Sequence, residues 1–248
     1  MNPILLVTGG SRGIGAATAR LAAARGWDVA VNYTRDAAAA EAVAADVRVC
    51  GRRAWVLQAD VADDQQVQAM FRTLDREAGV LSGLVNNAGV VDVAARVDEM
   101  TAARWQRMFA INVFGTLSCS REAVRRMSTK HGGAGGAIVN LSSAAARLGA
   151  PGQYVDYAAA KGAIDVLTLG LAKEVGAEGI RVNAVRPGLI ETEIHASGGQ
   201  PDRARQLAHQ VPMQRTGSAE EVAEAIAWLL SDASSYTTGS LIEVTGGR

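Results

Sequence analysis

Lysine is scarce in this chain. Only Lys130, Lys161 and Lys173 occur among 25 basic residues, and the rest are arginines. Basic and acidic side chains balance at 25 each, so no net positive charge exists to build the basic stripe of a nucleic-acid or membrane-surface protein. Two cysteines, Cys50 and Cys119, are too few and too isolated for a disulfide framework. They fit a reduced thiol pool and a cytoplasmic location. His131, His195 and His209 make no ligand-spaced cluster with them, so no metal site is expected. No apolar run approaches a membrane span, and the opening "MNPILLVTGG" lacks the charged and apolar regions of a secretory signal. Proline- or serine-rich linkers and internal repeats are also missing. The 248 residues therefore read as one domain, 1–248.

What is present is alternation. Short apolar runs at 4–7, 28–33, 54–59, 83–87, 137–142, 180–185 and 240–244 read as strands. Helical patterns fall between them at 13–25, 37–49, 63–78, 101–128, 153–176 and 219–231. Strand and helix alternating throughout predict an α/β fold: a doubly wound parallel sheet with helices on both faces. Such sheets bind ligands beyond the carboxyl ends of their strands, where strand order reverses.

The first strand end reads "VTGGSRGIG". Gly9, Gly13 and Gly15 let the backbone turn tightly and approach a ligand, and the helix behind them offers free N–H donors to a pyrophosphate. At the second strand end, "VNYTRD", Asn32, Tyr33 and Thr34 stand where an acid would accept the ribose hydroxyls of NAD. Arg12 and Arg35 flank that place. Set against two merely solvated arginines, the reading is a 2′-phosphate and hence NADP(H). Asp36 and Asp63 are read as helix N-caps, which leaves Asp60 for an adenine amino group. In "NNAG", Ala88 and Gly89 let the backbone run close to a cofactor. Asn86 and Asn87 brace neighbouring turns, touch the ligand, or do both.

The helix start "YVDYAAAKGA" carries two of the four tyrosines and one of the three lysines. Tyr157 and Lys161 are four apart, on one helix face, with Cβ atoms roughly 5–6 Å apart. Tyr154 and Lys161 are separated by roughly 10 Å along the axis. Geometry therefore favours the Tyr157–Lys161 pair. A phenol titrates near 10, and a cation one turn away is expected to lower that value.

With "TGGSRGIG", "NNAG", "YAAAK" and "RPGLIET" in order, the chain resembles the short-chain dehydrogenase/reductase family over essentially its full length. Within it, the chain looks closest to bacterial 3-oxoacyl-thioester reductases and glucose 1-dehydrogenase-like reductases. The resemblance implies a seven-stranded Rossmann-type sheet, a homotetramer, and metal-free interconversion of a small carbonyl or alcohol substrate with NADP(H). It implies Tyr157 as general acid/base and Lys161 as its partner, also holding the nicotinamide ribose. Ser143 becomes the carbonyl-polarising hydroxyl, with Ser142 its neighbour. Ser143 lies 14 residues before Tyr157 where 13 is common in the family, and the extra residue is placed in "GQYVDY". Asn112 matches a helix asparagine that holds a relay water; the alternative is a brace for the helix. Ser11, Ile14, Val61, Asn87, Pro187 and Gly188 join the cofactor contacts. Ile190, through its backbone, and Thr192, through its hydroxyl, fix the carboxamide, and Thr34 helps hold the 2′-phosphate. Residues 190–215 form a variable substrate lid, with Tyr154 and His195 near its mouth.

The rival readings are a non-catalytic dinucleotide-sensing scaffold, a sugar or polyol dehydrogenase using NAD, and a nucleotide-sugar epimerase. The scaffold has no need of Tyr157 or Lys161, and the epimerase usually carries a longer substrate domain. An enoyl reductase is disfavoured, because that branch widens the tyrosine–lysine spacing.

Overall fold

The computed structural model describes residues 2–194, 198–200 and 202–248. Seven strands form one sheet: β1 Ile4–Val7, β2 Asp28–Tyr33, β3 Ala54–Gln58, β4 Leu81–Asn86, β5 Gly136–Leu141, β6 Ile180–Pro187 and β7 Leu241–Val244. All neighbours are parallel, in the order β3-β2-β1-β4-β5-β6-β7. The chain leaves β1 toward β2 and β3, then returns to β1's other side as β4. Strand order thus reverses between β1 and β4, and the crevice beyond their carboxyl ends is the binding place for such a sheet.

Burial on both faces explains the unbroken apolar strands. In β1, Leu5 and Val7 enter the core on one face, while Ile4 and Leu6 enter the core on the other. The helices covering these faces are α1 Gly13–Ala24, α2 Ala37–Val49, α3 Asp64–Glu77, α4 Ala102–Phe109, α5 Gly115–Met127, α6 Ala145–Leu148, α7 Val155–Val175, α8 Arg203–Gln206 and α9 Ala219–Leu230. Asp36 and Asp63 cap α2 and α3 as expected, Asp36 accepting from the Ala39 N–H and Asp63 from those of Gln65 and Gln66. Along α7, Ala158, Lys161, Asp165, Thr168, Ala172 and Val175 are buried. They recur at three- and four-residue steps, so Lys161 sits on the face turned to the sheet.

The continuous helix expected over 101–128 is broken. Ala110–Phe114 form a π-helical turn between α4 and α5. Two long-range contacts account for it. The Asn112 amide bonds to the Val90 backbone from both of its ends. Gly115 packs so closely on Val61 that a Cβ would lie 2.7 Å from Val61 Cγ2. Single π turns of this kind recur at functional sites. The helix expected from 153 begins at Val155, and its lead starts earlier, at Gly149 and Ala150, both with positive φ. Only residues 152–154 of "GQYVDY" belong to that lead.

Candidate active site

The loop after β1 is a cradle shaped for a phosphate. Gly9 and Gly13 have φ of 60° and 52°. A Cβ on Gly15 would lie 2.5 Å from both Asn87 Nδ2 and the Gly9 carbonyl. Helices α2, α3, α4 and α9 all begin with a side-chain cap, but α1 has none and no acid in its first turn. Its first N–H groups therefore face the crevice as donors to an anion.

Beneath this loop the polar side chains brace one another. Asn32 was expected among the cofactor contacts. Instead its Oδ1 accepts the Gly9 N–H, and its Nδ2 donates to the Leu57 and Ala59 carbonyls. It is 1 % exposed, so its side chain presents nothing to a ligand. Asn87 likewise donates to the Thr8 and Gly9 carbonyls, and the Thr8 hydroxyl accepts the N–H groups of Asn87 and Ala88. Of the alternatives open for Asn87, its amide takes the bracing one. Thr8 is a positioning residue that the motif contained but the sequence reading passed over.

Around the loop, Arg35 is exposed with no ion pair among the described residues, beside Tyr33 and exposed Thr34. Arg12 reaches across the crevice to Glu193, 3.0 Å away. Asp60 accepts the Ala62 N–H through one oxygen, and its other oxygen carries no bond among the described residues. Val61 is buried beneath Gly115. Ile14 packs on the core and Ser11 stands half-buried at the loop's rim.

Past β6, Pro187 ends the strand and Gly188 packs against Thr245. Glu191 donates to the Gly217 carbonyl and Gly217 to that of Leu189. Because residues 189 and 191 serve that bridge, the Ile190 N–H and C=O are turned the other way, with no bond among the described residues. Thr192 lies beside Gly13, its side chain 3.5 Å from where a Cβ would stand. A crevice of about 430 Å³ opens between Gly13 and Glu191–Glu193. His195 lies outside the described residues.

Below the crevice, Ser143, Tyr157 and Lys161 come together. The Ser143 hydroxyl lies beside the Tyr157 phenol and accepts the Ala145 N–H. Ser142 turns the other way and donates to the Lys161 carbonyl. The two serines are thus separated by geometry, with Ser143 facing the tyrosine. Lys161 Nζ lies 5.6 Å from the Tyr157 ring centroid and donates to the Leu141 carbonyl at 2.6 Å. Gly89 keeps room for it: a Cβ there would be 3.5 Å from Nζ and 2.8 Å from Asn112 Oδ1. Asn112 is fully buried, with its amide given to Val90 and Met108. Its carbonyl accepts the Thr116 hydroxyl. Of its two readings, the side chain takes that of the brace.

One electrostatic expectation is reversed. Burial pushes the Tyr157 phenol above its ordinary value, and the neighbouring Ser143 hydroxyl only partly offsets this. Lys161 does not pull it down, because its nitrogen points past the ring to Leu141. Burial holds Lys161 itself down to about 8, against an opposing pull from Asp165. Each pH unit of that displacement is worth about 1.4 kcal/mol, so at pH 7 the charged lysine costs the fold about 3 kcal/mol. Between pH 8 and 10.5 the unfolded chain binds the extra proton, so Lys161's contribution to stability rises with pH there. Lys161→Met leaves the Leu141 carbonyl unpaired, which costs about 1–3 kcal/mol. The variant is therefore expected to melt at or above the wild-type temperature at pH 7, and to lose ground to wild type as pH rises from 8 to 10.5. A gap independent of pH, read by thermal denaturation, would contradict the burial of this charge.

A feature invisible to local sequence reading anchors the helix. Arg104 of α4 forms a two-pronged pair with Asp156, at 2.7 and 3.2 Å, in the first turn of α7. Both side chains are nearly buried. The pair fixes the turn that carries Tyr157. Among the described residues, no cluster of three histidines, cysteines or acids could hold a metal, and no helix is long and apolar enough to cross a membrane.

Comparison with known proteins places this geometry. Residues 9–248 match the family model described as enoyl-(acyl carrier protein) reductase. The chain is 57 % identical to an oxidoreductase of Escherichia coli, YgfF, with 99 % of each chain covered. It is 42 % identical to the cis-4-hydroxycyclohexanecarboxylate dehydrogenase of Sinomonas cyclohexanicum, covering 98 % of this chain and 95 % of that one. Among solved structures, it is similar to a short-chain dehydrogenase of Burkholderia cenocepacia in complex with NADP, at TM-score 0.91 and 34 % identity over 99 % of this chain and 97 % of that one.

Proposed function

This chain belongs to the short-chain dehydrogenase/reductase family of oxidoreductases, and on that premise we propose that it transfers a hydride between NADP(H) and a carbonyl or secondary alcohol. The observation that carries the reading is the meeting of Ser143, Tyr157 and Lys161 below a phosphate-shaped loop at the strand-order reversal. When bound, the dinucleotide supplies the hydride. The uncapped start of α1 and Gly9–Gly15 hold its pyrophosphate, Arg12, Thr34 and Arg35 its 2′-phosphate, and Asp60 its adenine. The free N–H and C=O of Ile190, with Thr192, hold the carboxamide.

The Ser143 and Tyr157 hydroxyls are neighbours, so a carbonyl oxygen bound beside them would receive hydrogen bonds from both as its charge develops. Tyr157 gives the proton. Its raised value keeps that proton in place at neutral pH, where a phenolate would have none to give. Lys161, one turn on with its Nζ 5.6 Å from the Tyr157 ring centroid, holds the nicotinamide ribose when the dinucleotide is bound. The four-residue tyrosine–lysine spacing and the adjacent serine support carbonyl rather than enoyl reduction.

The runner-up is an NAD-linked sugar or polyol dehydrogenase, favoured by the Glu193 carboxylate that already occupies Arg12. A panel of ketones and β-keto thioesters with NADPH, set against polyols with NAD, separates the two. Ketone reduction with NADPH is expected. Activity confined to polyols with NAD would overturn the first reading.

Association is part of the proposal. Phe114 and Leu117 on one helix pair, and Val166 and Leu169 on α7, are apolar and exposed. They support a homotetramer, which light scattering would read as four chains per particle. Free Cys50 and Cys119 support a cytoplasmic setting.

A further inference from the structure

Tyr154 stands immediately before α7, one turn ahead of Tyr157, and it is not open to solvent. It is 6 % exposed, and its hydroxyl lies near Gly198 of the lid, where a Cβ would stand 3.5 Å from it. Across the face of its ring lies a cation. The Arg203 guanidinium, on α8 of the lid, sits 5.4 Å from the ring centroid and donates to Gln153 Oε1 at 2.6 Å. Both contacts are neutral. The Arg203 Nε–H is buried and finds no acceptor among the described residues.

Nearby arginines are placed differently. Arg104 has Asp156, Arg107 has Asp92, and Arg205, two residues on, has Glu191. The acids at this mouth, Asp92 and Asp156, are therefore already taken. Arg203 has no ion pair among the described residues. Another cation stands close by: Arg248 is held below its ordinary value by burial first and by Arg203 second. A buried guanidinium N–H without an acceptor is costly, and the group that best repays it is an anion with a planar pair of oxygens. Stacking on Tyr154 and the Gln153 bond fix the fork in advance, so little ordering is left to do on binding.

We propose that Arg203, stacked on Tyr154 and tied to Gln153, anchors a carboxylate of the substrate, so that the preferred carbonyl or alcohol carries an acid group on the side away from Tyr157. The inference rests on Tyr157 marking the reacting carbonyl. Gln153, Tyr154 and Tyr157 belong to one lead and one helix turn, so the anchor and the proton donor are held at a fixed separation. Neutral ketones of the same shape fill the site without meeting the anchor. Arg203 is thereby a specificity-determining residue, and Tyr154 is its platform rather than a second acid.

The test is direct binding to the NADP-loaded protein, read by calorimetry, with two ligands that cannot react: cyclohexanecarboxylate and cyclohexanecarboxamide. The carboxylate is expected to bind roughly 10- to 100-fold tighter than the amide, the range of a desolvated charge-assisted pair. Arg203→Met should erase that preference, and Arg203→Lys should restore part of it. Equal binding of the two ligands by wild type, no binding of either at millimolar concentration, or a preference that survives in both variants would overturn the anchor. Turnover of 4-oxocyclohexanecarboxylate is read separately. If the carboxylate is preferred but no ketone is reduced, the carbonyl reading fails and the anchor stands.

Discussion

Tyr157→Phe is expected to lower ketone turnover by roughly 10²–10⁴-fold, the span that a positioned proton donor contributes. The dissociation constant for NADPH should change by less than about twofold, because the loop, Arg12, Arg35 and Ile190 are untouched. Stability should hold as well. Tyr157 packs with Met108, Val113 and Ala160, and a phenylalanine ring keeps those contacts. Ser143 still accepts the Ala145 N–H. A fall in turnover with binding and melting unchanged isolates the hydroxyl. A variant within tenfold of wild type would mean that Tyr157 is not the donor. Tyr154 is no substitute, since its hydroxyl lies beside Gly198 and its ring carries Arg203.

The second large effect concerns the cofactor. Arg12→Ala is expected to raise the KM for NADPH roughly 10-fold or more and to leave the KM for NADH nearly unchanged, measured as paired initial-rate titrations. The Glu193 pair does not disarm Arg12, as the magnitudes show. Both partners are more than half exposed, and such a surface pair is worth about 0–1 kcal/mol. A charge-assisted bond from guanidinium to phosphate is worth about 1.5–3 kcal/mol. The phosphate therefore displaces Glu193. Arg35, with no ion pair to give up among the described residues, contributes without that exchange. Equal effects on both cofactors would remove the phosphate role from Arg12 and favour the NAD-linked reading.

What was legible in the sequence was local. The caps at Asp36 and Asp63, the glycine loop and the Tyr157–Lys161 spacing each depend on residues within one turn of one another, and periodicity located the strands for the same reason. What escaped reading depends on contacts between distant residues. The π turn at Asn112 is drawn out by Val90, 22 residues away, and the Arg104–Asp156 pair spans 52. Asn32 was misplaced because residue type shows a polar group at a strand end but not which way it faces. Its partners Leu57 and Ala59 arrive only when β3 pairs with β2. The Tyr157 displacement was misjudged for a related reason. Helical spacing gives the proximity of Lys161, but neither the burial of the phenol nor the Leu141 carbonyl that turns the ammonium aside. Arg203 shows the limit most clearly: it is one arginine among many until the fold lays it on Tyr154.

The central claim is hydride transfer to a carbonyl carbon, and one measurement reaches it directly. NADPH carrying deuterium at both C4 positions of its dihydronicotinamide is incubated with the protein and a ketone substrate, and the product is examined by mass spectrometry and NMR. The expected product is the alcohol with one deuterium on the carbinol carbon, formed by Tyr157→Phe at least about 100-fold more slowly than by wild type. Deuterium on a carbon beta to an intact carbonyl, or NADPH consumption with no labelled alcohol, would contradict it.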